Sequence, residues 1–346
     1  MESSAWRSWW RWEIMVALAY QVYCVGLSID KASAVLSFFQ QLKLRKSQAD
    51  ALLNQLARSW EEEFDALCTL LANSAVVHCD ETSWSINSVW AFINDHLTVL
   101  FYGVHKDGQT LAQILDKSTF AGVLVSDDAA VYQDFSQAQK CWAHLLRKAI
   151  KLTLQAPGNK TYRRFADQLL AIYGKAKRIK ADGRLGDDGR LSRVAELEGE
   201  LLTLCGLGYT GTSAEVDEVE NDYRRLRNEL IRLTLVEELF VFVTEAEVPG
   251  NNNGSERQLR GDALARNTGR TSKTPQGAKR RSILSSVLQS IGKQLSSFSL
   301  EKVIEMVTSW WETGESCFVR QMKSLGLRPP PSDTSLLDRL ILAADS

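Results

Sequence analysis

The run AVVHCDETSW, from Ala75 to Trp84, constrains the fold more than any other stretch of this chain. Its two valines are strand formers, and the Thr-Ser pair that follows is typical of a loop, so the pattern predicts a strand that ends at Asp80. A carboxylate at the end of a strand indicates a catalytic or metal site when further carboxylates stand in matching places. Asp80 taken alone is equally a solvated or helix-capping group.

Two further carboxylates stand in such places. Asp127 ends the apolar run GVLVSD, and Glu256 lies in NNNGSERQLR, where several residues able to cap a helix precede it. Strand ends meet at one edge of an α/β sheet, so we expect Asp80 and Asp127 to lie close together. Carboxylates from distant parts of a chain are ligands that Mg²⁺ prefers, and the three acids therefore predict a magnesium site.

The order of the remaining patterns predicts an α/β fold. Around Asp80 and Asp127 lie short β-rich runs at 89–93, 98–104 and 123–125, with an amphipathic helix at 109–117. We expect a mixed sheet with flanking helices, an all-helical insertion before the third acid, and helical N- and C-terminal segments. Further helices are predicted at 161–180, 191–204 and 216–243, with a helical hairpin at 282–311.

The predicted segments follow from these elements and from the Pro-rich end of the chain. We expect the region from Ser324 onward to be mobile. The segments are a helical N-terminal region (1–74), the first part of the catalytic core (75–151), a helical insertion (152–248), the completion of the core with a basic loop (249–312), and a tail (313–346).

Charge is segregated along the chain although the formal net charge is only -1. Residues 140–190 and 257–281 are strongly basic, whereas residues 193–247 are strongly acidic. The chain therefore has two basic faces although its net charge is close to zero. Such faces indicate nucleic-acid binding, with a solvated basic surface as the alternative. The candidate DNA-binding residues are Arg257, Arg260, Arg266, Arg270, Lys273, Arg147 and Lys148, and the cations Lys279, Arg280 and Arg281 follow in the same basic text.

The N-terminal residues 13–73 alternate helical segments with breaks, which is compatible with a helix-turn-helix. Its last helix would begin at Ser47 and would offer Gln48, Asn54, Gln55 and Arg58 to DNA. Acidic residues follow at once on the same helix, so a helical scaffold packed on the core is the competing interpretation. The apolar run from Ile14 to Ile29 is interrupted by Gln21, which favours a buried helix over a signal peptide.

The six cysteines are scattered and form no C-x-x-C pair, which argues against a zinc ribbon or a disulfide framework and fits a reducing cytosol. Cys141 and His144 stand in KCWAH without a matching second pair of ligands. Half of a zinc site is one interpretation of Cys141 and His144, and a structural or active-site-ordering role is favoured over it. We expect Cys141, His144 and Asn252 to lie beside the carboxylates.

Four motifs in order resemble those of DDE transposases of the insertion-sequence sixty-six family: VVHCDETSW, GVLVSDDAAVY, KCWAHLLRK and NNNGSERQLR. The resemblance covers Ala75 to Thr308. It implies a ribonuclease-H-like core in which Asp80, Asp127 and Glu256 match the family's metal-binding acids. It also implies a bacterial, cytoplasmic, nucleoid-associated enzyme without membrane contact, which acts as a homo-oligomer on the DNA of element ends and target and which accessory proteins of the same element can assist.

The chemistry implied by the resemblance is DNA strand cleavage followed by strand transfer. Such chemistry uses two Mg²⁺ ions, which Mn²⁺ can replace, held roughly 3.5–4 Å apart. We expect Asp80 to bridge the ions and Asp127 and Glu256 each to complete one of them. An activated water would nick the strand, and the released 3′ hydroxyl would attack the target. Without metal, the clustered carboxylates would repel one another and raise at least one pKa.

The sequence departs from the family at two places. Asp128 and Ala129 stand where the family usually has Gly and Tyr, so Asp128 is a possible competing ligand. The chain also does not match the family's cysteine-rich, zinc-binding N-terminal region. Two rival functions remain open: a transposase-derived DNA-binding protein that has lost cleavage, and a metal-dependent nuclease without strand transfer.

Overall fold

The computed structural model describes residues 2–206, 208–328 and 334–345. The chain forms two compact units, of which the first comprises Met1–Phe120 and Gly254–Ser346 and the second comprises Ala121–Asn253. The fold class is α/β, as predicted, and its five strands give a mixed sheet. No described helix combines the length and the apolar character needed to cross a bilayer.

The strands are β1 (Val76–Ser83), β2 (Ser88–Ile93), β3 (Thr98–Val104), β4 (Val123–Ser126) and β5 (Ala138–Lys140). The helices are α1 (Glu2–Ala19), α2 (Ile29–Gln40), α3 (Lys46–Ser59), α4 (Glu61–Ala72), α5 (Gly108–Ile114), α6 (Trp142–Gln155), α7 (Lys160–Ala181), α8 (Asp187–Cys205), α9 (Glu218–Leu235), α10 (Val241–Thr244), α11 (Asn253–Asn267), α12 (Pro275–Gln294), α13 (Leu300–Thr313), α14 (Cys317–Ser324) and α15 (Leu336–Asp345). A π-helical turn spans Tyr20–Cys24, and a 3₁₀ turn spans Ala130–Tyr132.

In the first unit, β1, β2 and β3 pair antiparallel in chain order. The prediction that the first strand ends at Asp80 is wrong, because β1 continues to Ser83. Thr82 and Ser83 pair with the first two residues of β2. The hairpin therefore satisfies the backbone of residues whose side chains alone are typical of a loop.

The two faces of this three-stranded sheet have different coverings. Ala91 and Leu100 stand opposite each other and share a buried cluster with Leu259 and Ala265 of α11. On the other face, Phe101 packs edge-on against Phe64 of α4, with ring centroids 5.5 Å apart. One side of the sheet therefore carries α11, and the other carries α4.

Helix α12 covers the edge of β3 with a ladder of serines. The backbone N–H groups of Thr98, Leu100 and Tyr102 donate to Ser290, Ser286 and Ser282 at 3.0, 2.9 and 2.9 Å. Four residues of a helix rise about 6 Å and two residues of a strand about 6.7 Å, so serines at every fourth position keep pace with alternate strand residues. The hydroxyls thus satisfy an edge that would otherwise attract another strand.

The close approach of α12 to β3 depends on a glycine. Gly103 has a φ of 77°, and a Cβ atom at this position would lie 2.8 Å from the Cβ of Ala278 on α12. The pairing of β2 with β3 also shifts register between Ser88 and Val89, opposite this residue. Only glycine combines the left-handed backbone with the space that the helix requires.

The N-terminal helices form a scaffold on which α3 packs. Ser28 caps α2 as predicted, but α3 begins at Lys46 and is preceded by Arg45 as its N-cap, so Ser47 is not the cap. Asn54 accepts a hydrogen bond from Arg280, and Gln55 accepts one from Arg11. Gln48 likewise accepts a hydrogen bond of 2.9 Å from the backbone N–H of Arg45. Three of the four side chains that a helix-turn-helix would offer to DNA are therefore engaged within the protein, which favours the scaffold interpretation.

The second unit contains the parallel pair β4 and β5, of which β5 was not predicted. The helices predicted at 161–180 and 191–204 are confirmed as α7 and α8. The predicted single helix at 216–243 is wrong between α9, which ends at Leu235, and α10, which begins at Val241. Glu237 adopts a φ of 60°, which a continuing helix cannot accommodate, and the chain turns between α9 and α10.

The C-terminal region also differs from the prediction. The two helices predicted within 282–311 are present as α12 and α13. Beyond it, Leu337, Leu340 and Ile341 of α15 are buried, so the expectation of a mobile end is wrong for this helix. The Pro-rich stretch 329–333, which shared that expectation, lies outside the described residues.

Candidate active site and basic surface

Asp80 lies within β1, directly opposite Ala91 of β2. Opposed residues of an antiparallel pair project from the same face, so Asp80 shares the face of Ala91 and Leu100. That face is the one covered by α11 through Leu259 and Ala265. The half-buried Asp80 carboxylate therefore lies on the side of the sheet that holds the helix carrying Glu256.

Glu256 is the fourth residue of α11. Residues three apart are neighbours on a helix, so Glu256 and Leu259 project from the same side. Because Leu259 packs on the face of the sheet that carries Asp80, both candidate ligands of the first unit belong to one side of its sheet. The sequence placed Glu256 at a helix start but contained no signal for the face on which that helix packs.

Glu81, next to Asp80, lies on the opposite face with Trp90 and Phe101. Its carboxylate forms an ion pair of 2.7 Å with Lys106, and its side chain is only 4 % exposed. Glu81 therefore has a cation partner of its own and is separated from the face of Asp80 by the alternation of the strand.

Asp127 belongs to the second unit and directly follows the last residue of β4, as predicted. Its Oδ1 accepts a hydrogen bond of 3.0 Å from the backbone N–H of Ala129. This local turn fixes the start of the loop and holds the half-buried carboxylate at the end of the strand.

The neighbouring acid, Asp128, forms an ion pair with Arg232 of α9. A carboxylate already paired with a guanidinium is a poorer metal ligand, because the cation must first be displaced. The pairing therefore disfavours the competition with Asp127 that the sequence left open.

Lys140 is a residue whose role the sequence concealed. It was counted with an exposed basic face, but it is only 1 % exposed. Its ammonium donates to the Tyr132 carbonyl at 3.0 Å and lies 3.8 Å from Glu238. Burial lowers its pKa, whereas the nearby charges of Glu238, Asp128 and Asp127 act in the opposite direction. Lys140 is thus a buried cation behind the loop that begins at Asp127.

Two of the three residues expected to order the site contact each other in the second unit. The N–H of Asn252 donates to Cys141 Sγ at 3.1 Å, and both residues are buried. The N–H of Cys141 donates to the carbonyl of Ser126, the residue before Asp127, at 2.9 Å. His144 lies in the first turn of α6, which Cys141 caps. Cys141 therefore links the end of β4 to α6.

The basic residues of α11 and the loop after it are exposed. Arg266 donates to the carbonyl of Ser83 at 2.9 Å, and Arg270 donates to the carbonyl of Gly26 at 2.7 Å. These contacts leave both residues exposed at the surface. We call the group Arg257, Arg260, Arg266, Arg270 and Lys273 the basic surface.

The next three cations of the same basic segment have side chains that pair with groups of the protein. Lys279 lies 2.9 Å from Asp338 and 3.0 Å from Glu61. Arg280 lies 2.6 Å from Asp50, and the side chain of Arg281 is buried. Arg281 lies 3.8 Å from Asp262 of α11. Lys279, Arg280 and Arg281 therefore differ from the candidate DNA-binding residues before them, because each has a carboxylate partner supplied by another element.

The two cations predicted on α6 are both exposed. Lys148 forms an ion pair of 2.6 Å with Glu229 of α9. Burial raises the pKa of Glu229, and the hydrogen bond from Lys148 opposes that shift. A phosphate contact by Lys148 would therefore compete with an internal partner.

A comparison with known protein families identifies the family to which the chain belongs. The model of the Transposase IS66 family matches residues 7–280, a range that includes Asp80, Asp127, Glu256 and the basic surface. The chain belongs to this family. No curated protein and no solved structure matches it.

The matched range extends beyond the four motifs. It includes the N-terminal helices α2 to α4, which lie upstream of those motifs. It ends within α12, after the basic surface. The matched range therefore spans the helical scaffold, the candidate acids and the basic surface.

Proposed function

We propose that this chain cleaves and joins DNA as a metal-dependent DDE transposase, with Asp80, Asp127 and Glu256 as its catalytic acids. The observation that carries the proposal is the family match, which covers all three acids. It is supported in the first unit by the shared side of Asp80 and α11 on the sheet.

The donor set suits two divalent cations. All three groups are carboxylates, the oxygen ligands that Mg²⁺ prefers and that Mn²⁺ also accepts. The adjacent acids Glu81 and Asp128 have cation partners of their own in Lys106 and Arg232, so neither is required as a ligand. When bound, the cations supply charge that activates the attacking oxygen and stabilises the leaving oxygen.

The residues of the chain hold and orient the reactants. Asp80 is held by the ladder of β1 with β2, and Asp127 by the turn with Ala129, so both carboxylates start from ordered backbone. The basic surface would take the phosphates of the DNA and align the scissile strand, since guanidinium groups bind phosphate oxygens in pairs. Substrate alignment of this kind accounts for much of phosphoryl-transfer catalysis.

The test uses the full chain with DNA that carries both ends of the element encoding it. With Mg²⁺, the unmodified chain should nick the ends and join them to a target. Asp80→Asn, Asp127→Asn and Glu256→Gln should each lower the rate on the order of 100-fold or more, because each removes charge that holds the cations. Glu81→Gln is the matched control, since Glu81 lies on the opposite face, and it should leave the rate unchanged.

Metal binding gives a second measurement that does not depend on activity. Titration with Mn²⁺ should show binding to the chain that Asp80→Asn weakens and Glu81→Gln preserves. Loss of activity in the acid variants with unchanged Mn²⁺ binding would contradict the assigned ligand role.

Two rival functions are separated by the products. A nuclease without strand transfer would nick the ends but would give no joined product when supplied with pre-cleaved ends. A DNA-binding protein that has lost cleavage would bind the ends with no nicking, and Asp80→Asn would then change nothing. Self-association on paired ends, measured by the mass of the complex, is expected for the transposase.

A further inference from the structure

A cavity of about 600 Å³ opens in the first unit beside α11. Its wall includes one face of that helix, formed by residues at helical spacing such as Gly254, Gln258 and Gly261. Its volume falls in the range of ligand pockets, roughly 300–1,000 Å³. Glu256 lies beside this face of the helix in sequence, so the cavity adjoins the start of the helix that carries the third acid.

The floor of the cavity is polar and buried. Asp262 accepts a hydrogen bond of 2.8 Å from the Tyr102 hydroxyl, and Arg281 lies 3.8 Å from the Asp262 carboxylate. The Arg281 guanidinium is also stacked among the rings of Tyr23 and Tyr102, at 5.6 and 5.2 Å from their centroids. These contacts hold the cavity floor in one arrangement before any ligand enters.

One donor on this floor has no partner. Arg281 is only 8 % exposed, and its Nε–H has no hydrogen-bond acceptor among the described residues. A buried donor that lacks an acceptor is unfavourable, so an acceptor supplied by a ligand would satisfy it. The amides of Gln258 and Gln289 line the same cavity and add both donors and acceptors.

The rim of the cavity differs from its floor. Tyr20 and Phe298 are each 42 % exposed, and their rings meet edge-on at 5.6 Å. Arg257 and Arg270, from the basic surface, stand on the same rim. Tyr20 begins the π-helical turn Tyr20–Cys24, an irregularity that often marks functional sites.

Exposed rings beside exposed guanidinium groups, above a floor of hydrogen-bonding groups, match the parts of a nucleotide. The rings offer stacking surface for a base, the guanidinium groups bind phosphate, and the floor hydrogen-bonds the edge of the base. We propose that this cavity receives a single unpaired nucleotide of the bound DNA strand. The inference rests on the proposed function, because it takes DNA as the substrate.

The test fills the cavity without disturbing the fold. Gly261 is exposed on α11, and a Cβ atom there would meet nothing within 4 Å, so Gly261→Phe should fold and project a ring into the opening. Gly199 of α8 is equally exposed and equally free of neighbours within 4 Å, which makes Gly199→Phe the matched control.

Binding is measured with the full chain in EDTA, so that no cleavage occurs. Two short duplexes are compared that differ only in one unpaired nucleotide, with 2-aminopurine at that position as a fluorescent probe of unstacking. The unmodified chain should bind the duplex with the unpaired nucleotide about tenfold more tightly, a preference within the energy of base stacking on aromatic side chains. Gly261→Phe should abolish the preference and leave the affinity for the paired duplex unchanged, whereas Gly199→Phe should retain the preference.

Each other outcome overturns the inference. Equal affinity of the unmodified chain for both duplexes would do so, as would a preference that survives in Gly261→Phe. Binding of free deoxyadenosine monophosphate without a preference for the unpaired nucleotide would assign the cavity to a free nucleotide instead. The proposed function is judged separately. Nicking in Mg²⁺ without the preference for an unpaired nucleotide would reject only the inference about the cavity. The preference without nicking would reject only the proposed transposase chemistry.

Discussion

Helices α11 and α12 follow each other in the chain and both are polar. They differ in how much of each helix is exposed to solvent. Helix α11 exposes its arginines and carries Glu256 at its start. Helix α12 buries most of its length, including Arg281 and the serines that cover β3. Similar composition therefore gave a solvent-facing helix in one case and a central packing helix in the other.

The difference comes from partners that other elements of the first unit supply to α12. Arg280 pairs with Asp50 of α3, and Arg281 pairs with Asp262 of α11. Ser282, Ser286 and Ser290 meet the backbone of β3. A polar helix can lie in a core when most of its buried polar groups have partners, because the cost of desolvation is then largely offset.

The largest effect should come from Arg281→Met, which removes the buried cation and leaves Asp262 buried without it. Breaking a buried ion pair in this way costs about 3–5 kcal/mol of the free energy of unfolding. Urea denaturation followed by circular dichroism would measure the loss.

The same variant should depend on pH in a defined direction. Burial raises the pKa of Asp262, and Arg281 opposes that rise, so its removal should raise this pKa further. A carboxyl with a raised folded-state pKa stabilises most when protonated, so the deficit of Arg281→Met should grow as pH rises above about 4. Adding Asp262→Asn should recover part of the loss; no recovery would mean that the pair is not the cause.

A smaller effect should follow from Ser286→Ala, which leaves the N–H of Leu100 without an acceptor. An unsatisfied buried N–H costs about 1–3 kcal/mol. Ser285→Ala is the matched control on the same helix, because the buried Ser285 hydroxyl has no partner among the described residues. Equal losses in the two variants, measured by urea denaturation, would reject the serine ladder as a stabilising feature.

The smallest effect on stability should come from Arg260→Gln and Lys273→Gln, which change exposed side chains of the basic surface. Surface changes of this kind usually stay within about 0.5 kcal/mol. Their effect should appear in DNA binding instead, where each lost phosphate contact lowers the salt slope by roughly 1. Salt-dependent binding isotherms would measure it, with Arg193→Gln on the acidic helix α8 as control; unchanged slopes would remove these residues from the DNA interface.

Local sequence patterns predicted most elements of the fold. The β3 strand was predicted at its observed bounds. The strand before Asp127 was predicted with an end one residue short of the observed one. The errors fall where pairing overrides local preference. Thr82 and Ser83 became strand because a hairpin partner was available, and β5 was missed because three residues carry too little pattern.

The residues of the candidate site could be predicted from the sequence, but the burial and the partners of the charged residues around them could not. Motif order singled out Asp80, Asp127 and Glu256. It could not distinguish the exposed cations of the basic surface from Lys140 and Arg281. These two residues also belong to basic segments of the sequence, but they are buried. A run of charged residues in the sequence does not show which side chains are buried, because the fold determines which of them have partners.

The sequence by itself determined the family and the class of fold, and it singled out three candidate acids, because short motifs and local periodicity carry this information. Only the tertiary structure decided which polar groups are buried, that α11 shares a side of the sheet with Asp80, and that a cavity forms beside that helix. The physical reason is that burial and pairing join residues more than 150 positions apart, as Tyr102 and Asp262 are. No local pattern contains such contacts.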